Sequence, residues 1–345
     1  MAYENVVNDV RAAIRLEKPH QVPIFACSEE FDVKWHGKYT YEELCQSGEK
    51  MAEVWSAAIR QFDYDWAWLQ IDDCFEFEPL GVGCYGKDNI LRATRQYLPA
   101  TSQTLKNLPI LDPAKDGRIP EKLKAIRLLR NEFGDTAMVV GSCAAPYSSV
   151  GLMWGLEETM IKTITEPDLL AEACEYFVDL QARYIKAQYD AGAHAIWLGD
   201  CNAFSSMLSL EQYRKFAFPA CKKLIDKAKK DTDVIICLHN SEIEIPYLLA
   251  EAELGADIVS VGPCADMAEV KKTLVGKCCF GGNLDPIEVL MRAAPEQVAA
   301  EAERIMNICK PDGGYVFCTG EMNPRDVSVE NMNAYMKAAR ENSYY

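Results

Sequence analysis

Short runs of consecutive apolar residues alternate along the chain with longer stretches whose apolar positions recur every three or four residues. The runs are VPIFAC (22–27), WAWLQI (66–71), AMVVGS (137–142), HAIWLG (194–199), VIICLH (234–239), DIVSVG (257–262), CCFGG (278–282) and YVFCT (315–319). Between them lie helical patterns such as YEELCQSGEKMAEVWSAAIRQF and EPDLLAEACEYFVDLQARYIKAQYDAG. Continuous apolar strands followed by amphipathic helices predict a parallel sheet covered by helices. Eight candidate strands favour closing that sheet, so the predicted architecture is α/β, a (β/α)8 TIM barrel.

The segment 73–118 breaks the pattern. It is turn-rich, carries GVGCYG and scattered charge, and shows no helical period. It reads as an insertion after the second strand, packed on the barrel, so that 1–345 forms one domain. Catalytic groups in such barrels come from the C-terminal ends of strands. Those ends supply Ser28 and Glu29, Asp72 and Asp73, Cys143, Asp200 with Cys201 and Asn202, His239 with Asn240 and Ser241, Asn283 with Asp285, and Glu321. The ring is rich in acids, holds one histidine and has few cations. Neighbouring side chains alternate in direction along extended chain, so Asp72 and Asp73 cannot both face the axis; Asp72 is taken as the functional one.

Composition narrows the function. A net charge of −16 argues against nucleic acid as partner, because phosphate binding needs clustered Lys and Arg. No apolar run reaches the length of a membrane span. The N-terminal stretch MAYENVVNDVRAAIRLEKPHQVP has no apolar core or cleavage site of a signal peptide, so a cytoplasmic protein is expected. The 14 cysteines contain no CxxC, and several sit within apolar strand-like runs, as free thiols in a reducing compartment do.

Several segments, in order, carry a family resemblance: FDYDWAWLQIDDCFEFEPLGVGCYG, GSCAAPYSSVGLMWGLEETM, AGAHAIWLGDCNAF, and the stretch from His239 to Arg340 with HNSE, GGNLDP and GGYVFCTGEMNPRDVSVENMNAYMKAAR. Together they resemble the uroporphyrinogen-decarboxylase-like superfamily over nearly the whole chain. That resemblance implies either decarboxylation of an octacarboxylate porphyrinogen or methyl transfer through a corrinoid. The decarboxylase branch carries an Arg-rich motif after the first strand. Here the stretch is ACSEEFDVKWHGK, whose acids would repel a polyanion, so decarboxylation is disfavoured. Coenzyme M methyltransferases of the family bind zinc through His-x-Cys and a later Cys. The matching positions here are His239, Ser241 and Glu321, so both thiolates are missing and a metal on His239 and Glu321 would sit in a harder, oxygen-rich site.

The resemblance then points to methyl transfer from a small methylated compound, most simply an aryl methyl ether, to the cob(I)alamin of a partner corrinoid protein. The chain itself shows no DxHxxG corrinoid signature. Such a reaction needs a proton or Lewis acid, zinc among the options, at the departing oxygen. His239, Asp200, Glu321 and Asp72 are the expected catalytic residues. Trp68, Tyr147, Trp154, Trp197, Phe204, Met207, Met322 and Asn283 are the expected substrate-binding ones. Methyl transfer to a thiol, or a barrel that binds a corrinoid protein or ligand without turnover, are the alternatives. A homodimer is compatible with the sequence.

Overall fold

A computed structural model describes residues 4–345. Among the described residues nine strands occur: β1 (Trp66–Trp68), β2 (Gly83–Lys87), β3 (Ile90–Gln96), β4 (Met138–Ala144), β5 (Ala195–Gly199), β6 (Ile235–His239), β7 (Ile258–Ser260), β8 (Cys279–Leu284) and β9 (Tyr315–Thr319). Seven of them form one curled parallel sheet in the order β1-β4-β5-β6-β7-β8-β9. Nearly every residue of β1, β4, β6, β8 and β9 is buried, as expected of strands covered on both faces.

The eighth expected strand, 22–27, is corrected to a single isolated bridge, Ile24 with Phe317. Residues 22–27 run between β9 and β1 in extended form, with Phe25 N–H donating to Phe317 O at 2.8 Å and Phe317 N–H to Pro23 O at 2.9 Å. On the other side Asp65 N–H donates to Ile24 O at 3.1 Å. A regular ladder cannot form because Pro23 has no N–H and Ile24 N–H donates instead to the Asp65 carboxylate at 2.7 Å. The segment still bonds to both sides of the gap.

Helices cover the sheet because their apolar residues fall on one stripe. Pro167–Asp190 starts on a proline in its first turn and buries Leu170, Ala173, Cys174, Phe177, Gln181, Tyr184 and Gln188 at three- and four-residue steps. Its buried Gln181 and Gln188 do not stay idle: each reaches a residue at the tip of β4 or beside it. Among the described residues no helix is long and apolar enough to cross a membrane.

The segment 73–118 contains more regular structure than its composition predicts. β2 and β3 pair antiparallel with two register shifts, and a short helix follows at Ser102–Asn107. The hairpin is pinned by Leu98 N–H to Met153 O at 2.9 Å, by Asp88 to Glu42, and by Arg325 to Asn89 O at 2.6 Å. These anchors lie in segments that follow strand tips. A second apolar cluster, separate from the main core, fills the space beneath it with Phe77, Leu80, Tyr147, Met153 and Trp154.

Candidate active site

An open cavity with about 750 Å³ of empty space lies at the C-terminal ends of β1, β4, β5, β6 and β9. The floor and apolar wall are Phe77, Leu152, Trp197 and Met322; the polar wall is Gln70, Asp72, Asp73, Glu76, Ser142, Ser148, Asn202, His239 and Glu321, with the thiols of Cys143 and Cys201.

His239 ends β6, and its orientation is set from three sides. Nδ1 pairs with the Ser260 hydroxyl at 2.9 Å, Nε2 lies 3.3 Å from both Glu321 oxygens, and the ring stacks on Trp197 with centroids 4.5 Å apart. Ser241 donates its hydroxyl to Glu321, whose other oxygen accepts the Met322 N–H at 2.8 Å. Burial alone would raise the Glu321 carboxyl, but His239, Ser241 and the Met322 N–H outweigh it and hold it down at about 2. An ionised carboxylate only accepts, which places a hydrogen on Nε2. The expectation that Glu321 belongs to a set of proton-donating acids is therefore corrected: it is the anion of the site.

Ser241 reaches Glu321 from an uncommon backbone conformation, φ +58°. The loop after β7 makes this possible by carrying no side chain where the two loops touch. A Cβ on Gly262 would lie 2.2 Å from the Ser241 carbonyl oxygen, and one on Gly320 would lie 2.6 Å from the Pro263 nitrogen.

His239, Ser241 and Glu321, the positions at which the resemblance leads one to expect a metal, do not fit a thiolate zinc centre. One nitrogen and hard oxygens replace the sulfurs, and two of the donors are already joined to each other by a hydrogen bond. Among the described residues no group of three His, Cys, Asp or Glu side chains is placed to hold a metal.

The acids on the opposite wall behave differently. Asp72 forms a two-pronged ion pair with Arg118 at 2.8 and 3.0 Å, and its side chain is fully enclosed. Both Asp72 and Asp73 line the cavity, but Asp73 is the exposed one, and Gln70 Nε2 donates to it at 2.9 Å. The protein mass around it, followed by the charge of Asp72, raises its carboxyl pKa. Glu76 accepts from the Ala144 N–H at 3.2 Å and from Gln181 at 2.9 Å; burial still lifts it to about 7 against the pull of Lys122. Glu29, buried beside them with one oxygen unpartnered, is pushed well up by burial and by Asp73 and Asp72. Beneath this wall Lys122 donates to the Ser142 carbonyl at 2.9 Å and its hydroxyl at 2.6 Å. All three carboxyls are thus shifted toward the protonated form, Glu76 to about 7.

Asp200 lies behind the cavity rather than on its wall. It accepts from Ser148, a lining residue, at 2.7 Å, and burial raises it to about 6. Of the expected aromatic and sulfur wall, Trp197 and Met322 line the cavity. Trp68 is core: with Trp66 and Phe25 it builds a stack inside the curled sheet, and Trp197 lies near-perpendicular to it at 5.4 Å. Tyr147 and Trp154 belong to the second apolar cluster, against which Met207 packs; Phe204 is half-buried in the loop after β5. Asn283 turns away and ties down the loop after β7, donating to Gly262 O at 2.9 Å and Ala265 O at 3.0 Å.

The sequence reading missed Glu76, Phe77, Gln70, Ser142, Ser148 and Leu152 as wall residues, and Arg118 and Lys122 as the cations behind it. Ser142 stands within a recognised strand and could have been found there. Glu76 and Phe77 lie in a stretch without period, where nothing marks a facing direction.

Comparison with known proteins agrees with this architecture. The chain is 28% identical over 275 residues to the methylcobamide:CoM methyltransferase MtbA of Methanosarcina mazei, covering 77% of this chain and 78% of that protein. It is 25% identical over 313 residues to a uroporphyrinogen decarboxylase of Pseudoalteromonas atlantica, covering 88% and 86%. The solved structure of a methyltransferase from Methanosarcina mazei superposes with a TM-score of 0.86 at 21% identity, over 97% of this chain and 98% of that one. The family model for uroporphyrinogen decarboxylase (URO-D) matches residues 8–342, and the chain belongs to that family.

Proposed function

We propose that this protein is a corrinoid-dependent methyltransferase that removes the methyl group of a small aryl methyl ether and delivers it to a corrinoid carried by a separate protein docked over the barrel mouth. The observation that carries the reading is the cavity wall itself: two carboxyls shifted toward their protonated forms, Asp73 by direction and Glu76 to about 7, face an apolar side made by Phe77, Leu152, Trp197 and Met322. The reduced corrinoid supplies the nucleophile. This chain supplies the rest: it orients the ring, excludes water, and gives a proton from Asp73 to the ether oxygen as the O–CH3 bond breaks, so that a neutral phenol departs. Glu321, held as an anion, takes the Nε2 hydrogen of His239 and fixes the ring beside the same space.

Similarity to a methylcobamide:CoM methyltransferase supports corrinoid chemistry and also favours a second reading, methyl transfer to a thiol. Against it stand Ser241 and Glu321, which offer oxygens where thiol activation needs a soft metal site. Porphyrinogen decarboxylation fits poorly with a wall that holds carboxyls and neither Lys nor Arg. We read the sheet with residues 22–27 as a (β/α)8 barrel with a degenerate first strand, 1–345 as one domain with 73–118 inserted, and the site of action as cytoplasmic, in keeping with 14 free cysteines.

The deciding experiment mixes the protein with cob(I)alamin, free or protein-bound, and a panel of methoxylated aromatics, methylamines, betaines and methyl thiols. Methylcobalamin formed from an aryl ether is the expected result. Methyl transfer only between methylcobalamin and a thiol selects the second reading. Ligand binding with no transfer in either direction leaves a binding protein.

A further inference from the structure

The charged groups around the cavity are distributed unevenly between those that face the ligand and those that do not. Lining it are Asp73, Glu76, His239 and Glu321, with Asp72 already paired to Arg118. Two cations lie close behind the wall, and both are saturated by the protein. Arg118 directs Nη1 and Nη2 to Asp72 and Nε to Glu78 at 2.8 Å, gives a further bond to Cys45 O at 3.3 Å, and lays its plane on Phe75 at 4.0 Å. Lys122 is buried, donates twice to Ser142, and otherwise faces the rings of Phe75 and Tyr184.

Resting on the methyltransferase reading, we propose that the cavity selects uncharged methylated aromatics and rejects those that carry a carboxylate. An incoming carboxylate would lose its water shell and find no free cation to replace it. It would also meet the Glu321 anion, and would share the space with Asp73 and Glu76 only while both stay protonated. A neutral phenol ether avoids these costs: its ring lies against Phe77, Leu152 and Met322, and its hydroxyl and ether oxygen have the polar wall as partner.

Calorimetric titration at about pH 7, where phenols stay neutral and benzoates ionise, tests this directly. The probes are 2-methoxyphenol and 4-hydroxy-3-methoxybenzoate. The neutral ether should bind roughly tenfold or more tighter than the benzoate. Leu152→Lys, which sets a cation on the wall, should close that gap by a similar factor; Met322→Lys serves if the first variant does not fold. Equal or tighter binding of the benzoate to the wild-type protein overturns the inference, as does absence of binding by the neutral ether. Preferential binding of the neutral ether without methyl transfer would leave the selectivity standing and remove the methyltransferase reading. Equal turnover of neutral and carboxylated ethers would do the reverse.

Discussion

The Nε2 nitrogen of His239 sits 3.3 Å from both carboxylate oxygens of Glu321, bringing together the tips of β6 and β9 from positions 82 residues apart. Neither residue is free to act alone, because the carboxylate orders the ring and the ring helps keep the carboxylate charged. His239→Ala and Glu321→Gln should each lower kcat by about 100-fold, and the double variant should be scarcely worse than either. Initial methyl-transfer rates for the four proteins check this. Losses that multiply would show two independent roles.

Asp73 offers a sharper test of proton delivery. Its replacement by Asn keeps the acceptor for Gln70 and removes the proton. With 2-methoxyphenol, kcat should fall by about 100-fold or more. With 4-nitroanisole, whose phenolate leaves without help, the fall should be small. The same loss on both ethers would reduce Asp73 to a residue that holds the substrate in place.

The ion pair between Asp72 and Arg118 is nearly enclosed, with side-chain exposures of 0% and 10%. Arg118→Met would leave Asp72 and Glu78 without their common partner. Urea unfolding should show a loss of about 3–5 kcal/mol. A loss under about 1 kcal/mol, the range of exposed pairs, would mean that water screens the pair in solution.

Stability should fall as the solution becomes alkaline. Burial raises Asp32 to about 8, Glu76 to about 7 and Asp200 to about 6, all above the ordinary carboxyl range. Between the ordinary values and the raised ones the folded chain binds more protons than the unfolded one, so each unit of added pH costs the native state. Glu321, held at about 2, acts oppositely but only below its ordinary value of 4.5. Melting temperature should therefore be lower at about pH 9 than at about pH 5, and Asp32→Asn should flatten the slope. A midpoint that rises over that window would contradict the burial of these acids.

Much of the architecture was legible because a buried parallel strand writes itself as an uninterrupted apolar run. Seven of the eight runs pair where expected. VPIFAC fell short because its outcome turned on two backbone hydrogens, one absent at Pro23 and one taken by Asp65, which composition does not reveal. At the site, His239 and Glu321 were legible as strand tips. The choice between Asp72 and Asp73 was not, since it hinges on Arg118, 46 residues away. Tyr147 and Trp154 were misplaced for a related reason. An aromatic near a strand end in sequence is drawn to whichever apolar surface is larger, and the hairpin segment supplies one outside the cavity.

The close approach of Gly262 to the Ser241 carbonyl sets limits on divergence. Groups at the strand tips can be exchanged for others of similar size and the barrel will persist, so the reaction is open to drift. The bare backbone between those tips has no such latitude, because a single methyl there collides with the loop that carries Ser241. Tolerance to mutation should be lowest at a position that never meets the substrate, and new chemistry in this lineage would arise around that fixed point.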